Sequence, residues 1–323
     1  SAAMRMRWAL LASVAVVTGC HAKPSPNNNP DAPIADATSS TDALASLDAK
    51  QLSDARTMVH RIYGVTVDDI AGLANITAAL AALPHKPTTR IVFDEAQNPA
   101  YYAQAVPAIH AVSNVMGEIL DSEFVPNLTV AQYTARTTAY LDAFATNVDI
   151  WEVANEVNGE WLGATDDVVA KMTGAFDLVK ARGYATELTL YGCSDAAASN
   201  DMFTWVNANV PPRMRTSLDY VLVSYYEGDC GNLRTDWPDV FARLHQLFPN
   251  SEIGFGEVGA VTSAGNPITN PTVAGPYLEK YYGMQITTPS YVGGYFWWYF
   301  AEDMSPKTKP LFAILANAFA TMP

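Results

Sequence analysis

From residue 48 onwards, two hydrophobic patterns alternate along the chain, and this alternation restricts the possible folds more than any other feature. Short segments rich in β-branched and aromatic residues are each followed by a segment whose apolar residues recur every three or four positions, as in strands followed by helices. The eight predicted strands cover residues 60–67, 90–94, 114–121, 149–156, 188–191, 220–226, 252–257 and 293–300. Eight strand–helix units over about 275 residues predict an α/β fold, a (β/α)8 or TIM barrel in a single domain.

A doubly wound open sheet is the alternative fold for alternating strands and helices. Such a sheet normally carries a glycine-rich phosphate-binding turn after its first strand, and no such turn follows residues 60–67. The barrel is therefore the preferred prediction. In a barrel of this kind, the active site lies where the C-terminal ends of the strands meet.

Residues 1–47 differ in composition from the rest and predict an export signal followed by a tether. Ser1-Ala-Ala3 resembles a cloning scar, and from Met4 a positively charged segment leads into about ten apolar residues, too few to span a bilayer. The run closes in Val17-Thr-Gly-Cys20, which resembles a bacterial lipoprotein signal, in which the cysteine becomes the lipidated N-terminus after cleavage.

We therefore expect residues 1–19 to comprise the scar and a cleaved signal peptide, residues 20–47 to form a tether that begins at lipidated Cys20, and residues 48–323 to form the barrel. The protein would be exported to the cell envelope, at the outer membrane or the cell surface, and would contact the membrane through its lipid anchor. An ordinary secretory signal with a chance cysteine is the alternative, and it also exports the protein.

Charge and motif content exclude several classes of protein. The net charge of −14 argues against nucleic-acid binding, which requires a basic surface. The five histidines are scattered, without a pair four residues apart, and neither a Gly-x-Ser-x-Gly nor a P-loop sequence occurs. We expect no metal ion, no cofactor and a monomer that binds a neutral ligand or a soluble partner.

Two predicted strands end in residues suited to acid–base chemistry. Asn155 and Glu156 end the fourth strand, and Glu257 ends the seventh. Strands four and seven stand on opposite sides of an eight-stranded barrel, so their terminal carboxyl groups can face each other across the mouth. Two such groups suit glycoside hydrolysis, in which one protonates the leaving oxygen and the other attacks the anomeric carbon or activates water.

The segments Trp151-Glu-Val-Ala-Asn-Glu156 and Gly254-Phe-Gly-Glu-Val-Gly259, with the aromatic eighth strand, resemble the clan-A (β/α)8 retaining glycoside hydrolases. The resemblance implies a carbohydrate substrate, Glu156 as the general acid/base and Glu257 as the nucleophile. It also implies that Asn155 binds the sugar 2-hydroxyl and that a sixth-strand tyrosine orients Glu257. The substrate-binding candidates are Asn155, Tyr225, Tyr226, Trp161, Trp297 and Trp298, of which Trp297 or Trp298 would form a stacking floor.

Two positions depart from the pattern of that clan. Val157 follows the Asn-Glu pair where many members have proline, and Ser224-Tyr225-Tyr226 stands where many have His-x-Tyr. The Asn-Glu-Val-Asn-Gly and Ser-Tyr-Tyr runs also show a short similarity to endo-β-1,4-galactanases. That similarity is too short to define the substrate.

The remaining acidic and aromatic residues near strand ends have structural interpretations. Glu152 lies deeper in the fourth strand than Glu156, and we expect it to be a buried, paired core carboxylate. Trp161 suits either a sugar-binding platform or loop packing. Four acidic residues are interpreted as rim or structural groups: Glu95, Glu118, Asp121 and Glu123.

Cys193 follows the fifth strand and Cys230 the sixth, so both should lie at the same face of the barrel. In an oxidising compartment this placement predicts a disulfide between two active-site loops, with two buried thiols as the alternative. Two other functions also remain open. One is a non-catalytic glycan-binding lipoprotein on a TIM-barrel scaffold, and the other is a barrel enzyme of another class.

Overall fold

Eight parallel strands close into a barrel in the order of the chain in the computed structural model, which describes residues 61–193, 201–231 and 235–322. Each strand pairs in parallel with its two neighbours, and β1 closes the barrel against β8. The strands are β1 Ile62–Val67, β2 Thr88–Val92, β3 Asn114–Glu118, β4 Ile150–Ala154, β5 Ala185–Tyr191, β6 Tyr220–Tyr225, β7 Glu252–Val258 and β8 Tyr291–Trp297. The predicted (β/α)8 barrel is confirmed.

Helices alternate with these strands and pack around the barrel. The α-helices are α1 Leu73–Leu80, α2 Ala105–His110, α3 Val130–Phe144, α4 Thr165–Ala181, α5 Met202–Asn209, α6 Pro212–Arg215, α7 Trp237–Leu247, α8 Pro271–Tyr282, α9 Phe300–Met304 and α10 Pro310–Thr321. Three 3-10 segments, Pro99–Tyr102, Ser122–Asn127 and Glu160–Leu162, lie in loops after strands. None of the described helices is both long and apolar enough to cross a membrane.

Helix boundaries differ from the sequence prediction where glycine or proline intervenes. Apolar residues at three- and four-residue spacing predict a helix over residues 69–83, but it begins only at Leu73, because Gly72 before it is left-handed, with φ 73°. The sequence pattern also predicts one helix over residues 101–113, but the structure has a 3-10 turn followed by α2, with Pro107 in the first turn of α2. Proline has no N–H to donate and blocks a continuous helix through that position.

The barrel interior is divided into layers of different chemistry. Met116, Ile150 and Ala185 are register partners on β3, β4 and β5 and belong to an apolar cluster within the barrel. Two residues further along the same strands, the register partners are Glu118, Glu152 and Glu187. Because side chains alternate across a strand, these glutamates point to the same side as the apolar layer below them. The acidic layer therefore lies between the apolar floor and the C-terminal mouth.

The predicted signal peptide, Cys20 and the tether lie outside the described residues, so the boundaries at residues 19 and 47 remain predictions.

Candidate active site

The pair Asn155–Glu156 forms the turn that leaves β4 at the C-terminal mouth, and both residues are buried. Glu156 has φ 48°, in the left-handed region that is uncommon for residues other than glycine. The turn is held by two backbone hydrogen bonds: Gly159 N–H donates to the Glu156 carbonyl at 2.8 Å, and Val157 N–H donates to the Thr189 carbonyl at 3.3 Å. A proline at position 157 would lack the second of these donors.

Two serine hydroxyls bind the Glu156 carboxyl group. Ser122 Oγ donates to Oε2 at 2.7 Å, and Ser224 Oγ lies 2.6 Å from Oε1. Ser122 comes from the loop after β3 and Ser224 from β6, so the carboxyl is held between two elements. Both contacts come from neutral groups, which leave the protonated and ionised forms of Glu156 closer in energy than a cation would.

The Asn155 amide is oriented by a backbone N–H and a carboxylate. Ser122 N–H donates to Asn155 Oδ1 at 3.0 Å, and Asn155 Nδ2 donates to Glu152 Oε1 at 3.1 Å. An amide nitrogen carries two hydrogens, and within the described part of the chain only this donation to Glu152 is seen. The second hydrogen can therefore serve a ligand.

Glu257 lies near the end of β7 and is bound by charged and polar donors. Arg90 Nη1 donates to Oε2 at 2.9 Å, and the Tyr226 hydroxyl donates to Oε1 at 2.5 Å. Both partners favour the ionised carboxylate, the first through its charge and the second through a short hydrogen bond. Glu257 is thus arranged as a carboxylate.

Arg90 is the only cation seen among these carboxyls in the described part of the chain, and it is completely buried. Its Nε and Nη2 form a bidentate pair with Glu152, at 2.6 and 2.8 Å, which confirms the prediction that Glu152 is a buried and paired carboxylate. Burial by itself would lower the pKa of Arg90, but the nearby charges of Glu118, Glu152 and Glu257 raise it well above its ordinary value. The guanidinium therefore remains charged.

The acidic layer holds more carboxyl groups than one arginine can neutralise. Burial raises the pKa of Glu118 well above its ordinary value, although Arg90 opposes the shift. Burial and the charge of Glu152 likewise raise the pKa of Glu187. Arg90 Nη2 lies 3.2 Å from Glu118 Oε2, but neither Glu118 oxygen has a hydrogen-bond partner with good geometry among the described residues. Glu118 and Glu187 therefore favour the neutral acid form.

Glu156 and Glu257 belong to one site because β6 lies between them. Ser224 on β6, which contacts Glu156, is the register partner of Glu257 on β7. Neighbouring strands lie about 4.8 Å apart, so this pairing places the two carboxyl groups at one mouth, on either side of Ser224.

Each predicted aromatic pair divides between the mouth and the outer core, since neighbouring residues point to opposite faces. Tyr226 contacts Glu257, and Trp298 lies in a small cluster with Tyr226, its ring centroid 5.4 Å from Arg90 Cζ. Tyr225 instead packs edge-on against Trp237 at 4.7 Å, in the main core between barrel and helices.

Trp297 also belongs to that main core and donates from Nε1 to Asp303 Oδ2 at 3.1 Å. The rings of Tyr225 and Trp297 are thus covered by core residues, on the opposite side of their strands from Tyr226 and Trp298. Trp161 is half-buried, lies edge-on to Tyr191 with a centroid distance of 5.0 Å, and donates to Ser122 Oγ at 3.1 Å.

The predicted disulfide is absent. Cys193 and Cys230 are both buried thiols in the reduced state. A hydrogen bond with Cys193 and burial raise the pKa of the Cys230 thiol.

Sequence reasoning missed Arg90, Ser122 and Ser224 as site residues. Arg90 carried a usable signal, because a charged side chain in a strand of a parallel sheet has to be buried and paired. The two serines carried no signal in the sequence, since their contacts with Glu156 depend on which loops and strands lie next to each other. Of the four acidic residues interpreted as rim or structural groups, Glu95 and Glu123 are exposed, whereas Glu118 and Asp121 are buried.

No metal centre accompanies this site in the described ranges, where no group of three or more acidic, histidine or cysteine side chains could hold an ion. The chemistry available to the described chain is that of two carboxyl groups in different environments beside an aromatic ring. That combination defines the class of site, a carboxylate pair at the C-terminal mouth of a (β/α)8 barrel.

Comparison with known proteins supports the barrel fold. A scan against protein-family models finds no match, and a search of curated proteins finds none either. A variant of Saccharomyces cerevisiae Gas2p in complex with laminaritetraose and laminaripentaose aligns with a TM-score of 0.52 and 15% identity, covering 84% of this chain and 66% of that chain. Gas2p in complex with laminaripentaose gives 0.50 and 14%, covering 81% and 65%.

An endo-β-1,3-glucanase from Amycolatopsis mediterranei, in complex with laminaritriose, aligns with a TM-score of 0.43 and 14% identity over 79% of this chain and 98% of that chain. The present chain spans just under two thirds of the Gas2p chains that it matches, 65% in one comparison. At these identities, the similarity to Gas2p establishes a shared fold.

Proposed function

We propose that this protein is a glycoside hydrolase that cleaves a polysaccharide or oligosaccharide with retention, with Glu257 as the nucleophile and Glu156 as the acid/base. The observation that supports these roles is the contrast between the two carboxyl environments. Glu257 accepts hydrogen bonds from a guanidinium and a phenol, whereas Glu156 contacts two serine hydroxyls. An ionised nucleophile and a carboxyl that can change protonation state require this contrast.

In the first step, a Glu257 carboxylate oxygen attacks the anomeric carbon as the glycosidic bond breaks, and Glu156 gives its proton to the leaving oxygen. A covalent glycosyl–enzyme forms. In the second step, Glu156 takes a proton from water, the water oxygen attacks the anomeric carbon, and the Glu257 carboxylate is released. Both residues then return to their starting protonation states.

The surrounding residues have defined tasks in this scheme. Arg90 and Tyr226 hold the Glu257 carboxylate in one orientation, which reduces the reorganisation needed for attack. The remaining amide hydrogen of Asn155 can donate to the sugar 2-hydroxyl. The Trp298 ring, next to Tyr226 and Arg90, can stack on the apolar face of a sugar ring.

The similar folds give an order in which to test substrate classes. Gas2p is seen with laminari-oligosaccharides, so we place β-1,3-glucans first in a polysaccharide screen. β-1,4-Galactan comes second, because of the short sequence similarity to endo-β-1,4-galactanases. Hydrolysis of one and not the other selects the substrate and leaves the roles of Glu156 and Glu257 unchanged.

Replacement of the nucleophile tests the proposal. We expect Glu257→Ala to lower kcat on an aryl glycoside by roughly four to six orders of magnitude, as when a nucleophile is removed elsewhere. Sodium azide should restore turnover and give the glycosyl azide with inverted configuration, measured by NMR. Glu95→Ala, at an exposed glutamate near the same mouth, is the control and should keep full activity. Turnover of Glu257→Ala at the wild-type rate contradicts the assignment.

A second candidate function is glycan binding without turnover. The observation that favours it is the burial of both carboxyl groups, since the side chains of Glu156 and Glu257 belong to residues that are each only 1% exposed. Calorimetry with laminari-oligosaccharides separates the two functions. Binding that persists for hours without product supports this second function, whereas release of reducing sugar supports the hydrolase.

We also propose, from the sequence alone, that the chain is an exported lipoprotein acylated at Cys20 and monomeric. Mass spectrometry of the mature N-terminus from a bacterial host tests the first point. A diacylglyceryl group on Cys20 is expected, and Cys20→Ala should release the protein from membranes. An unmodified N-terminus elsewhere supports the ordinary secretory signal instead.

A further inference from the structure

The Ser122 hydroxyl lies between the Trp161 indole and the Glu156 carboxyl group. Trp161 Nε1 donates to Ser122 Oγ at 3.1 Å, and Ser122 Oγ lies 2.7 Å from Glu156 Oε2. An indole N–H can only donate, and a serine hydroxyl has a single hydrogen. In this geometry Ser122 accepts from Trp161 and donates its one hydrogen to Glu156 Oε2.

Both ends of this chain of hydrogen bonds are fixed by other contacts. Ser122 N–H is bound to Asn155 Oδ1 at 3.0 Å, and the 3-10 segment that Ser122 begins is held by Lys171 Nζ, which donates to the Val125 carbonyl at 2.9 Å. The Trp161 ring meets Tyr191 at an interplanar angle of 86°. The direction of the hydrogen bonds is thus set by buried or packed groups.

This direction gives the two carboxyl oxygens of Glu156 different tasks. Oε2 faces the Ser122 donor, so a proton on Glu156 is favoured on Oε1. Oε1 lies 2.6 Å from Ser224 Oγ, and a hydroxyl can both donate and accept. Ser224 can accept from the neutral acid and donate to the carboxylate, which is what a group that alternates between acid and base requires.

We propose that Trp161 and Ser122 form a one-way hydrogen-bond relay that keeps the exchangeable proton of Glu156 on Oε1, while the Ser224 hydroxyl reverses its direction as Glu156 changes protonation state. Trp161 and Ser122 are positioning residues in this scheme, and Trp161 thereby gains a role besides that of a sugar platform. The inference rests on the proposed function of Glu156 as the acid/base.

Other titratable groups around Glu156 do not supply this direction. Burial raises the pKa of Tyr191 on β5, which stays a neutral phenol and contacts Asp229 at 3.3 Å. The charged and acidic groups on the packed elements are Asp121 beside Ser122, Glu257 beside Ser224 on β7, and Glu152 and Arg90 deeper in the barrel. Neither serine nor tryptophan titrates near neutral pH, so the relay acts at every working pH.

The relay is tested by titration of Glu156 itself. The protein is labelled with glutamate that carries ¹³C in its side-chain carboxyl, and the Glu156 signal is assigned by its loss in Glu156→Gln. We expect Ser122→Ala to move the midpoint upward by about one pH unit, because the ionised form loses a donor. Trp161→Phe keeps the ring, releases the Ser122 hydroxyl and should move the midpoint in the same direction by less.

Controls separate positioning from general damage. Ser122→Thr keeps the hydroxyl and should restore the wild-type midpoint. Ser251→Ala removes a buried serine that donates to the Leu218 carbonyl at 2.7 Å, away from Glu156, and should leave the midpoint unchanged. In kinetics, the alkaline limb of the pH–rate profile should shift upward with the NMR midpoint in Ser122→Ala and Trp161→Phe.

An unchanged midpoint in both Ser122→Ala and Trp161→Phe overturns the relay. Its failure differs from failure of the proposed function, because the NMR titration requires no turnover. A wild-type protein that hydrolyses no glycoside while the midpoints shift as expected retains the relay and refutes the enzyme. A working hydrolase with fixed midpoints retains the enzyme and refutes the relay.

Discussion

The two sides of the mouth hold equally buried glutamates in opposite chemical surroundings. On the β7 side, Glu257 is bound by Arg90 and Tyr226, and on the β4 side, Glu156 is bound by Ser122 and Ser224. Each glutamate is 1% exposed, so burial cannot distinguish their roles. The charge of their partners does, because a cation favours the ionised carboxyl and a hydroxyl serves either form.

The backbone differs between the two sides as well. Glu257 lies within strand β7, just after a register shift between β6 and β7, whereas Glu156 lies beyond the end of β4 in the left-handed region. A non-glycine residue in this region costs roughly 1–2 kcal/mol, and the hydrogen bonds of the following turn offset that cost. The comparison indicates that the contacts of Glu257 hold its carboxylate rigidly, and that the turn at Glu156 sets the direction of its carboxyl group.

Replacement of Arg90 should cause the largest loss of stability and activity. Arg90→Met leaves the carboxylates of Glu152 and Glu257 buried without their partner. We expect the free energy of unfolding to fall by about 3–5 kcal/mol, and activity to be lost because Glu257 then favours its neutral form. Urea denaturation followed by tryptophan fluorescence measures the first effect, and hydrolysis of an aryl glycoside measures the second.

An exposed arginine provides the control for this variant. Arg213 pairs with Asp177 on the surface, with both side chains about half exposed. Arg213→Met should lower stability by no more than about 1 kcal/mol and leave activity unchanged. Equal losses of stability in the two variants would show that Arg90 has no special role.

Loss of the Tyr226 hydroxyl, which binds Glu257, should have an intermediate effect on activity. Tyr226→Phe removes the donor at 2.5 Å from Glu257 Oε1 but keeps the ring. We expect kcat to fall roughly 10²-fold, the usual scale for one preorganised hydrogen bond at a reacting group. Steady-state kinetics on an aryl glycoside measures the change.

Tyr225→Phe is the matched control, one residue earlier on β6. Its ring packs in the outer core against Trp237, so its kcat should match that of the wild type. If both phenylalanine variants lose the same activity, the hydrogen bond to Glu257 does not explain the loss.

This tyrosine pair also shows how far the sequence predicts the site. Alternation along β6 predicts that Tyr225 and Tyr226 face opposite sides, but which one faces inward depends on the barrel register, which the pattern does not contain. The same holds for Trp297 and Trp298. The eight-strand order and the placement of Glu156 and Glu257 at strand ends follow from local periodicity, so they were predictable.

Contacts between residues far apart in the chain could not be predicted from the sequence. Ser122 and Ser224 are separated by about a hundred residues, and both reach Glu156 only because β4 lies between the loop after β3 and the later strands. Strand order did place Cys193 and Cys230 next to each other, since the two thiols share a hydrogen bond, but both are free cysteines in the structure.

Glu118 has a third kind of environment in the barrel, and its replacement should have the smallest effect on stability. Glu118 lies near the same Arg90 but has no hydrogen bond of good geometry in the described part of the chain. Burial raises its pKa, so the folded protein keeps this proton at pH values where the unfolded chain has lost it. Its contribution to stability is complete below about pH 4.5 and is lost as the pH rises towards the raised folded pKa.

Glu118→Gln should therefore leave stability unchanged in acid and raise it at neutral pH, because glutamine does not ionise. We expect a gain on the order of 1 kcal/mol at pH 7, the scale for one buried polar group. Urea unfolding from pH 4 to pH 8 measures the difference, with Glu95→Gln at an exposed glutamate as the control. A loss of stability at pH 7 would mean that Glu118 is ionised and bound by Arg90, which would make it a third charged partner rather than a neutral acid.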